Sequence, residues 1–539
     1  MKNLIKNFLK MLAINKINIF FIIGILCMGI FLRVYHLDEI YTEYDDVGVV
    51  SLHKSISSKE KEIKLYEDNI LGINMTIKAE GLKETLLDSI LYPVYMGYTW
   101  TYPATQYLLY PFLIDEKDEY FSKITKSRSI SSFFSIVSLF LLTYILFLLN
   151  NKKIDKNILI PVSVLAFSYN SVLYAHHASP YSLTVTVFLL SLLCFISYHK
   201  NKISITNFFI IHAFLVISNY LILILMPIYL ILMVVNIKEF NFIFLFKKFY
   251  KGFFLFVIIF LPIFIVFFKP SKGLHGSLPP EGFSFESILY FPKQLIFSIS
   301  SSIQGFFVFD YITVLIVTLS VLFCVYIYCK NYYKSQELDG FILLFIFLLC
   351  IEWMILHLMG KLIMDQTRHM LMWSPIISIL LFFVIKNIKL NTLAIILFTS
   401  SLSLYGLYNN INLIDSKKSN LEIKFMNDHE FNVVFTYGFT LSPLIALPKK
   451  NVYNIDVNSF NKNTFSKNIP KEALLVSQSE SIENYLKNSN LNQFPKELLS
   501  KYDVQLIKRI DSDIYFTYNN YSISSTKNGF YLYKLTLKE

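Results

Sequence analysis

The stretch INIFFIIGILCMGIFL, residues 17–32, carries no charge and decides the fold. Extended by a residue or two it reaches the roughly 20 apolar residues that a helix needs to cross about 30 Å of hydrocarbon. Before it lies MKNLIKNFLKMLAINK, residues 1–16, which is basic and amphipathic. No small-residue cleavage site follows Cys27, where the chain reads MGIFLRVY, so a retained first helix is expected rather than a signal peptide. Further on, FFSIVSLFLLTYILFLL at 133–149 and LAIILFTSSLSLYGLY at 393–408 repeat the pattern. In all, about eleven spans are predicted. They fall near 17–34, 129–149, 158–174, 180–198, 204–219, 221–237, 252–268, 311–329, 340–357, 370–386 and 391–407. A short break at Ser218-Asn219-Tyr220 must hold the hairpin between the fifth and sixth.

Composition agrees with this reading. Hydrophobic residues make up 54% and charged residues only 16% of the 539 residues, against nearer a quarter charged in soluble domains. Mean hydropathy is +0.50. The net charge of +11 does not indicate a nucleic-acid partner, because the lysines sit in short loops between apolar runs and form no single basic face. Lys152, Lys153 and Lys156, then Lys200 and Lys202, then Lys238, Lys247, Lys248 and Lys251, then Lys330, Lys334, Lys386 and Lys389 fall on every second loop. With Lys2, Lys6, Lys10 and Lys16 on the same side, the positive-inside bias predicts a cytoplasmic N-terminus in a cell membrane. An odd number of spans then puts the C-terminal part outside. Trp100, Trp353 and Trp373 fall in or beside predicted outer segments, where indole rings favour the interface. The five cysteines lie in predicted spans and suggest neither a disulfide framework nor a metal site.

The expected architecture is a transmembrane domain over 1–407, with a large first outer loop at 35–128, and an extracytoplasmic α/β domain over 408–539. The segments TYPATQYLLYPFLI (101–114) and SLPPEGFSFESILYFPKQLIFSI (277–299) read as interfacial helices. In the C-terminal part, FNVVFTYG, a helix start at Ser442-Pro443, and KNVYNIDV read as strand, helix and strand. EALLVSQ, VQLIKRI, DIYFTYNNYSI and FYLYKLTL supply further strands.

Chemistry concentrates at the outer ends of the spans. FLRVYHLDEIYTEYDDVG, residues 31–48, places Arg33, Asp38, Glu39, Glu43, Asp45 and Asp46 directly after the first span. A carboxylate beside a bilayer is desolvated, which raises its proton affinity towards the range that suits a general base. LYAHHASPYSL (173–183) gives His176, His177 and Tyr181; MGKLIMDQTRHMLMWSP (359–375) gives Lys361, Asp365, Arg368 and His369; Arg128 precedes the second span. Such cations suit a phosphate whose lipid tail stays in the bilayer, and an arginine holds it with two parallel hydrogen bonds. Taken singly, each reads equally well as a side chain snorkelling to ordinary headgroups. Glu352 and His357 near the end of the ninth span are functional suspects by position, with Glu352 pairing to Lys361 or Arg368 as the structural alternative. His212 reads as a hydrogen-bonded packing residue, and Asp310 as a water-facing start of the eighth span. No phosphate loop, nucleophile elbow, HExxH or GxGxxG pattern occurs.

Four stretches together resemble the C-type glycosyltransferase superfamily, and most of all its bacterial branch similar to protein O-mannosyltransferases and lipid A aminoarabinose transferases. They are FLRVYHLDEIYTEYDDVGVV, SRSISSFFSIVSLFLLTYIL, SYNSVLYAHHASPYSLTVTVFLL and QTRHMLMWSPIISILLF, spread over 31 to about 385. The resemblance implies a multi-pass enzyme that moves a sugar from a polyprenyl-phosphate carrier to an extracytoplasmic glycan, lipid or protein with inversion. It implies Asp45 as catalytic base, Asp46 as its paired acid, and Arg128, Tyr181 and Arg368 as donor contacts. His177, Lys361 and His369 join the donor-phosphate set. Departures from the family pattern are Asp46 where Glu is commoner, His369 where Tyr is usual, and Ser179-Pro180 where an Arg often precedes the Tyr, with His177 as its substitute. No cofactor is implied; a divalent ion on Asp45 and Asp46 would lack a third ligand in the sequence. The competing classes are a lipid-linked oligosaccharide flippase, polymerase or ligase, and a non-catalytic membrane assembly subunit.

Overall fold

The computed structural model describes residues 2–38, 120–178, 181–235, 242–267, 310–332, 337–358, 371–388, 391–416, 433–437, 451–454, 470–478, 499–519 and 522–538, with isolated positions near 109–113 and 292–303. The chain is a multi-pass α-helical membrane protein with a small C-terminal sheet. Among the described residues, six helices are long and apolar enough to cross a bilayer, and five shorter apolar helices accompany them.

The helices are α1 (Lys2–Val34), α2 (Tyr120–Leu149), α3 (Leu159–Phe167), α4 (Tyr169–Leu173), α5 (Tyr181–His199), α6 (Ile205–Ser218) and α7 (Leu225–Val235). There follow α8 (Phe242–Phe267), α9 (Asp310–Ile327), α10 (Leu338–Leu358), α11 (Trp373–Asn387) and α12 (Thr392–Ser416). Each predicted span has its helix, but α1, α2 and α8 start early, at Lys2, Tyr120 and Phe242 against expected starts near 17, 129 and 252, and two further differences appear. The last helix runs on to Ser416, beyond the expected end at 407. The third span is broken, because Ser168 leaves the helical region at φ −63°, ψ 130° and divides α3 from α4.

That break would be costly in a membrane, where each unpaired backbone polar group costs several kcal/mol. Leu165, Ala166 and Phe167 no longer have helical N–H donors four residues on, and other spans supply them. Arg33 of α1 donates from Nη2 to the Leu165 carbonyl at 2.8 Å and from Nη1 to the Ala166 carbonyl at 3.0 Å. Asn410 of α12 donates from Nδ2 to the Phe167 carbonyl at 2.7 Å. Two glycines let the helices come this close. A Cβ on Gly29 would lie 3.1 Å from Ala166 Cβ, and one on Gly406 only 2.7 Å from Phe167 Cβ. The first and last spans therefore close over the gap in the third.

Elsewhere a hydrogen-bonded chain joins three helices. His212 Nδ1 lies 2.9 Å from the Phe208 carbonyl and its Nε2 2.9 Å from Ser191 Oγ, which lies 2.9 Å from Tyr229 Oη. The carbonyl only accepts, so Nδ1 carries the proton and Nε2 accepts from Ser191. His212 is thus the packing residue its position suggested. Trp353 and Trp373, expected at the interface, are instead buried at 2% and 0% exposure and meet edge to face at 5.3 Å. Helix–helix packing between α10 and α11 wins over headgroup contact there. The five cysteines are free thiols.

The two ends of the bundle differ. At one end, Lys200 Nζ donates to the Leu148 carbonyl at 3.1 Å, and Lys386 Nζ reaches both the Leu149 carbonyl at 3.2 Å and Asp339 Oδ2 at 2.5 Å. Left-handed residues Asn151, Lys152 and Asn201 stop α2 and α5 there. After α5, Asn201 N–H to Tyr198 and Lys202 N–H to Ser197 form the paired bonds that close a helix C-terminus. The ends of α1, α4 and α6 and the starts of α2 and α5 lie at the opposite end. Among the described residues, Lys200 and Lys386 share the lysine end, both reaching the end of α2; Lys238, Lys334 and Lys389 lie outside the described residues.

The C-terminal strands are β1 (Val433–Tyr437), β2 (Asn451–Asn454), β3 (Glu472–Gln478), β4 (Tyr502–Asn519) and β5 (Ser522–Leu537), in the order β2-β1-β3-β5-β4. β1 runs parallel to β2 and β3; β5 runs antiparallel to β3 and β4. VQLIKRI, DIYFTYNNYSI and FYLYKLTL, expected as three strands, are divided otherwise: VQLIKRI and DIYFTYN form the single strand β4, with register shifts at Leu506/Lys508 and Asp511/Ile514, while Ser522-Ile523 already belong to β5 with FYLYKLTL. Phe435, Leu475, Tyr502, Tyr533 and Leu535 make a small core beneath the sheet. The expected helix start at Ser442-Pro443 and both expected interfacial segments lie outside the described residues, save isolated positions.

Candidate functional site at the arginine end of the bundle

Where α1 ends, its carbonyls are taken up one after another by side chains from other helices. Ser132 Oγ donates to the Arg33 carbonyl at 2.7 Å, and Arg128 Nη1 to the Leu37 carbonyl at 2.8 Å. His176 Nε2 lies 3.0 Å from the Tyr35 carbonyl. His36, with φ 54°, turns the chain out of the helix between these contacts. A helix C-terminus carries partial negative charge, so a guanidinium there is electrostatically favourable.

The polar face of α2 makes this possible. Ser127, Ser131, Ser135 and Ser138 repeat at helical spacing beside Arg128 and Ser132, and all are buried. Ser135 Oγ accepts from Arg33 Nε at 2.7 Å, and Ser138 pairs with Thr186 of α5 at 2.8 Å. Arg33 spends its donors on Ser135, Gly29, Ala166 and Leu165, so it belongs to the framework and not to the acidic constellation that follows it.

Arg128, His176 and His177 are 0%, 0% and 2% exposed. Tyr174 gathers the rest: its ring lies 5.4 Å from that of His177 and 5.3 Å from that of Tyr181, and its carbonyl accepts from Ser182 Oγ at 2.9 Å. Tyr181 opens α5 and is half-buried. Burial pushes the His176 imidazole down to about 4, its bonds to the Val172 and Tyr35 carbonyls pull the other way, and the charges of Arg128 and His177 push it further down. Of the eight predicted site residues, His177 and Tyr181 meet at the Tyr174 ring, and Arg128 lies near them through His176, on which the charges of both Arg128 and His177 act. Asp45, Asp46, Lys361, Arg368 and His369 lie outside the described residues. The sequence offers both His176 and His177 as outer cations, and only His177 stands among the expected donor contacts. A signal was available in the buried turn AHHA, where two adjacent histidines rarely share one task.

Among the described residues, no group of three or more His, Cys, Asp or Glu side chains is placed to hold a metal ion. The Glu352 carboxylate in α10 has a buried oxygen without a hydrogen-bond partner among the described residues, and the expected partners Lys361 and Arg368 lie outside them.

ArnT from Cupriavidus metallidurans has a similar solved structure. In the apo state it aligns with a TM-score of 0.46 at 9% identity, covering 95% of this chain and 97% of that one. Bound to undecaprenyl phosphate, the same protein aligns with a TM-score of 0.45, at the same identity and coverage. At this identity the likeness assigns no role to any residue of this chain. No protein-family profile matches the sequence, and no curated protein does.

Proposed function

We propose that this chain is a membrane glycosyltransferase that takes a sugar from a polyprenyl-phosphate carrier and passes it to an acceptor hydroxyl outside the cell membrane. What supports the reading above all is that Arg128, bonded to the chain leaving α1, and the His177–Tyr174–Tyr181 group, joined to it through His176, lie at the end of the bundle where α1 hands the chain to the segment bearing Asp45 and Asp46. The lysine-bearing turns at the other end favour an inward-facing N-terminus and an outward-facing arginine end. The C-terminal sheet, on this topology, is extracytoplasmic and available to the acceptor.

Asp45 acts as general base, with Asp46 beside it. It removes the proton from the acceptor hydroxyl as that oxygen attacks the anomeric carbon. The bond from that carbon to the phosphate oxygen breaks from the opposite face, so the configuration inverts and the polyprenyl phosphate leaves with the electron pair. Arg128, His177 and Tyr181, joined by Lys361, Arg368 and His369, stabilise the charge that develops on the leaving phosphate. A burial-enclosed cation is worth more there than in water, because little solvent screens it.

The test is transfer of radiolabelled sugar from polyprenyl-phosphate donors in proteoliposomes. Asp45→Asn is expected to lower turnover by about 10²- to 10⁴-fold, the usual weight of a general base, with normal membrane insertion. Unchanged transfer in both Asp45→Asn and Asp46→Asn would remove the catalytic reading and favour a scaffold or a flippase.

A further inference from the structure

His176 is held in a way that its neutral form does not satisfy. Nδ1 lies 2.9 Å from the Val172 carbonyl and Nε2 3.0 Å from the Tyr35 carbonyl. Carbonyl oxygens only accept, and a neutral imidazole has one N–H to give. One ring nitrogen of the neutral form must therefore turn its lone pair towards the lone pairs of a carbonyl. Only the imidazolium pairs with both. The ring is wholly buried, and the charges facing it are those of Arg128 from α2 and His177 from its own turn, both of which oppose a further positive charge. Geometry asks for the proton, and burial with the neighbouring positive charge resists it. An anion beside Arg128 and His177 would cancel that resistance.

We propose that His176 takes up a proton when a phosphate-bearing lipid binds beside Arg128 and His177, and that the protonated ring then fastens the end of α1 through the Tyr35 carbonyl. The proposal rests on the phosphate-carrier reading above. His176 is a positioning residue here, since it acts on the Asp45 segment only through α1. Binding of the carrier and placement of the acidic segment become one linked event, in which the proton is the link. The reaction itself is unaltered: the ring returns its proton to water when the phosphate departs.

The experiment is titration calorimetry of the full chain in detergent with undecaprenyl phosphate, at pH 8, in two buffers of different ionisation enthalpy. The difference in observed heat gives the number of protons taken up. Wild type is expected to take up close to one proton per phosphate bound, and His176→Gln close to none. With one proton taken up, wild-type affinity falls about tenfold per pH unit as pH rises, and the variant loses that dependence. Binding without uptake in the wild type, or equal uptake in wild type and His176→Gln, overturns the proposal and leaves the carrier reading standing. Should His176→Gln not fold, the wild type decides: an affinity that stays flat between about pH 7 and pH 9 overturns the proposal. Absence of any binding removes the carrier reading, and this inference with it.

Discussion

The lysine end and the arginine end of the bundle handle positive charge in opposite ways. Lys386 and Asp339 pair with their side chains still 23% and 14% exposed, and Lys200 reaches a single carbonyl from a solvated turn. Arg33 and Arg128 are each fully buried and hold backbone carbonyls of other segments, in α3 and just past the end of α1. A solvated cation near a helix end gains little and costs little. A buried one must be satisfied on every side, so its presence reports a job that a neutral residue would not do. At the arginine end two jobs lie side by side, sealing the broken third span and holding the end of α1 next to the proposed phosphate site.

The contrast breaks most sharply at Arg33. Arg33→Met leaves the Leu165 and Ala166 carbonyls buried without donors, at about 1–3 kcal/mol each, so a loss of about 3 kcal/mol or more is expected in detergent unfolding. Gly406→Ala comes next. Its Cβ would press on Phe167 Cβ, and about 1–3 kcal/mol of overpacking is expected, whereas Gly24→Ala, with open space around it, should change nothing measurable.

A smaller effect follows from pH. The folded His176 is held below its ordinary value, so the unfolded chain binds more protons between about 6.5 and about 4. Stability of the unliganded protein is therefore complete above 6.5 and is lost as pH falls towards 4, by at most about 1.4 kcal/mol per pH unit. Unfolding curves of wild type and His176→Gln across that window should diverge as pH falls, and parallel curves would contradict the assignment. Smallest of all is Lys386→Met. Removing this partly exposed pair should cost no more than about 1 kcal/mol and leave transfer activity intact.

Much of the helical part is legible in the sequence, because a lipid-spanning run announces itself by length and lack of charge. The lysine side of the bundle is legible for the same reason. The break at Ser168 is not, since the polar Ser168-Tyr169-Asn170-Ser171 sits inside an otherwise apolar run and the decisive partners, Arg33 and Asn410, are distant in the chain. Arg33 looks from sequence like the first member of an acidic outer cluster; only the missing helical donors after Leu165 and Ala166 explain where it goes. Arg128, His177 and Tyr181 can be picked out as outer polar residues near span ends. The ring of Tyr174 that brings two of them together has no signature, because an aromatic in a turn looks like any interfacial residue. The tryptophans mislead for a related reason: an indole near a span end serves lipid or a neighbouring helix equally well.

The closure of the third span also sets a timetable. Phe167 and its hydrogen-bond donor Asn410 are separated by 243 positions in the chain. While the protein is being made, that carbonyl enters the bilayer long before its partner exists, and it stays open until the final helix arrives. Biosynthesis thus leaves a marked defect in every unfinished copy, and completion of the last helix is what erases it.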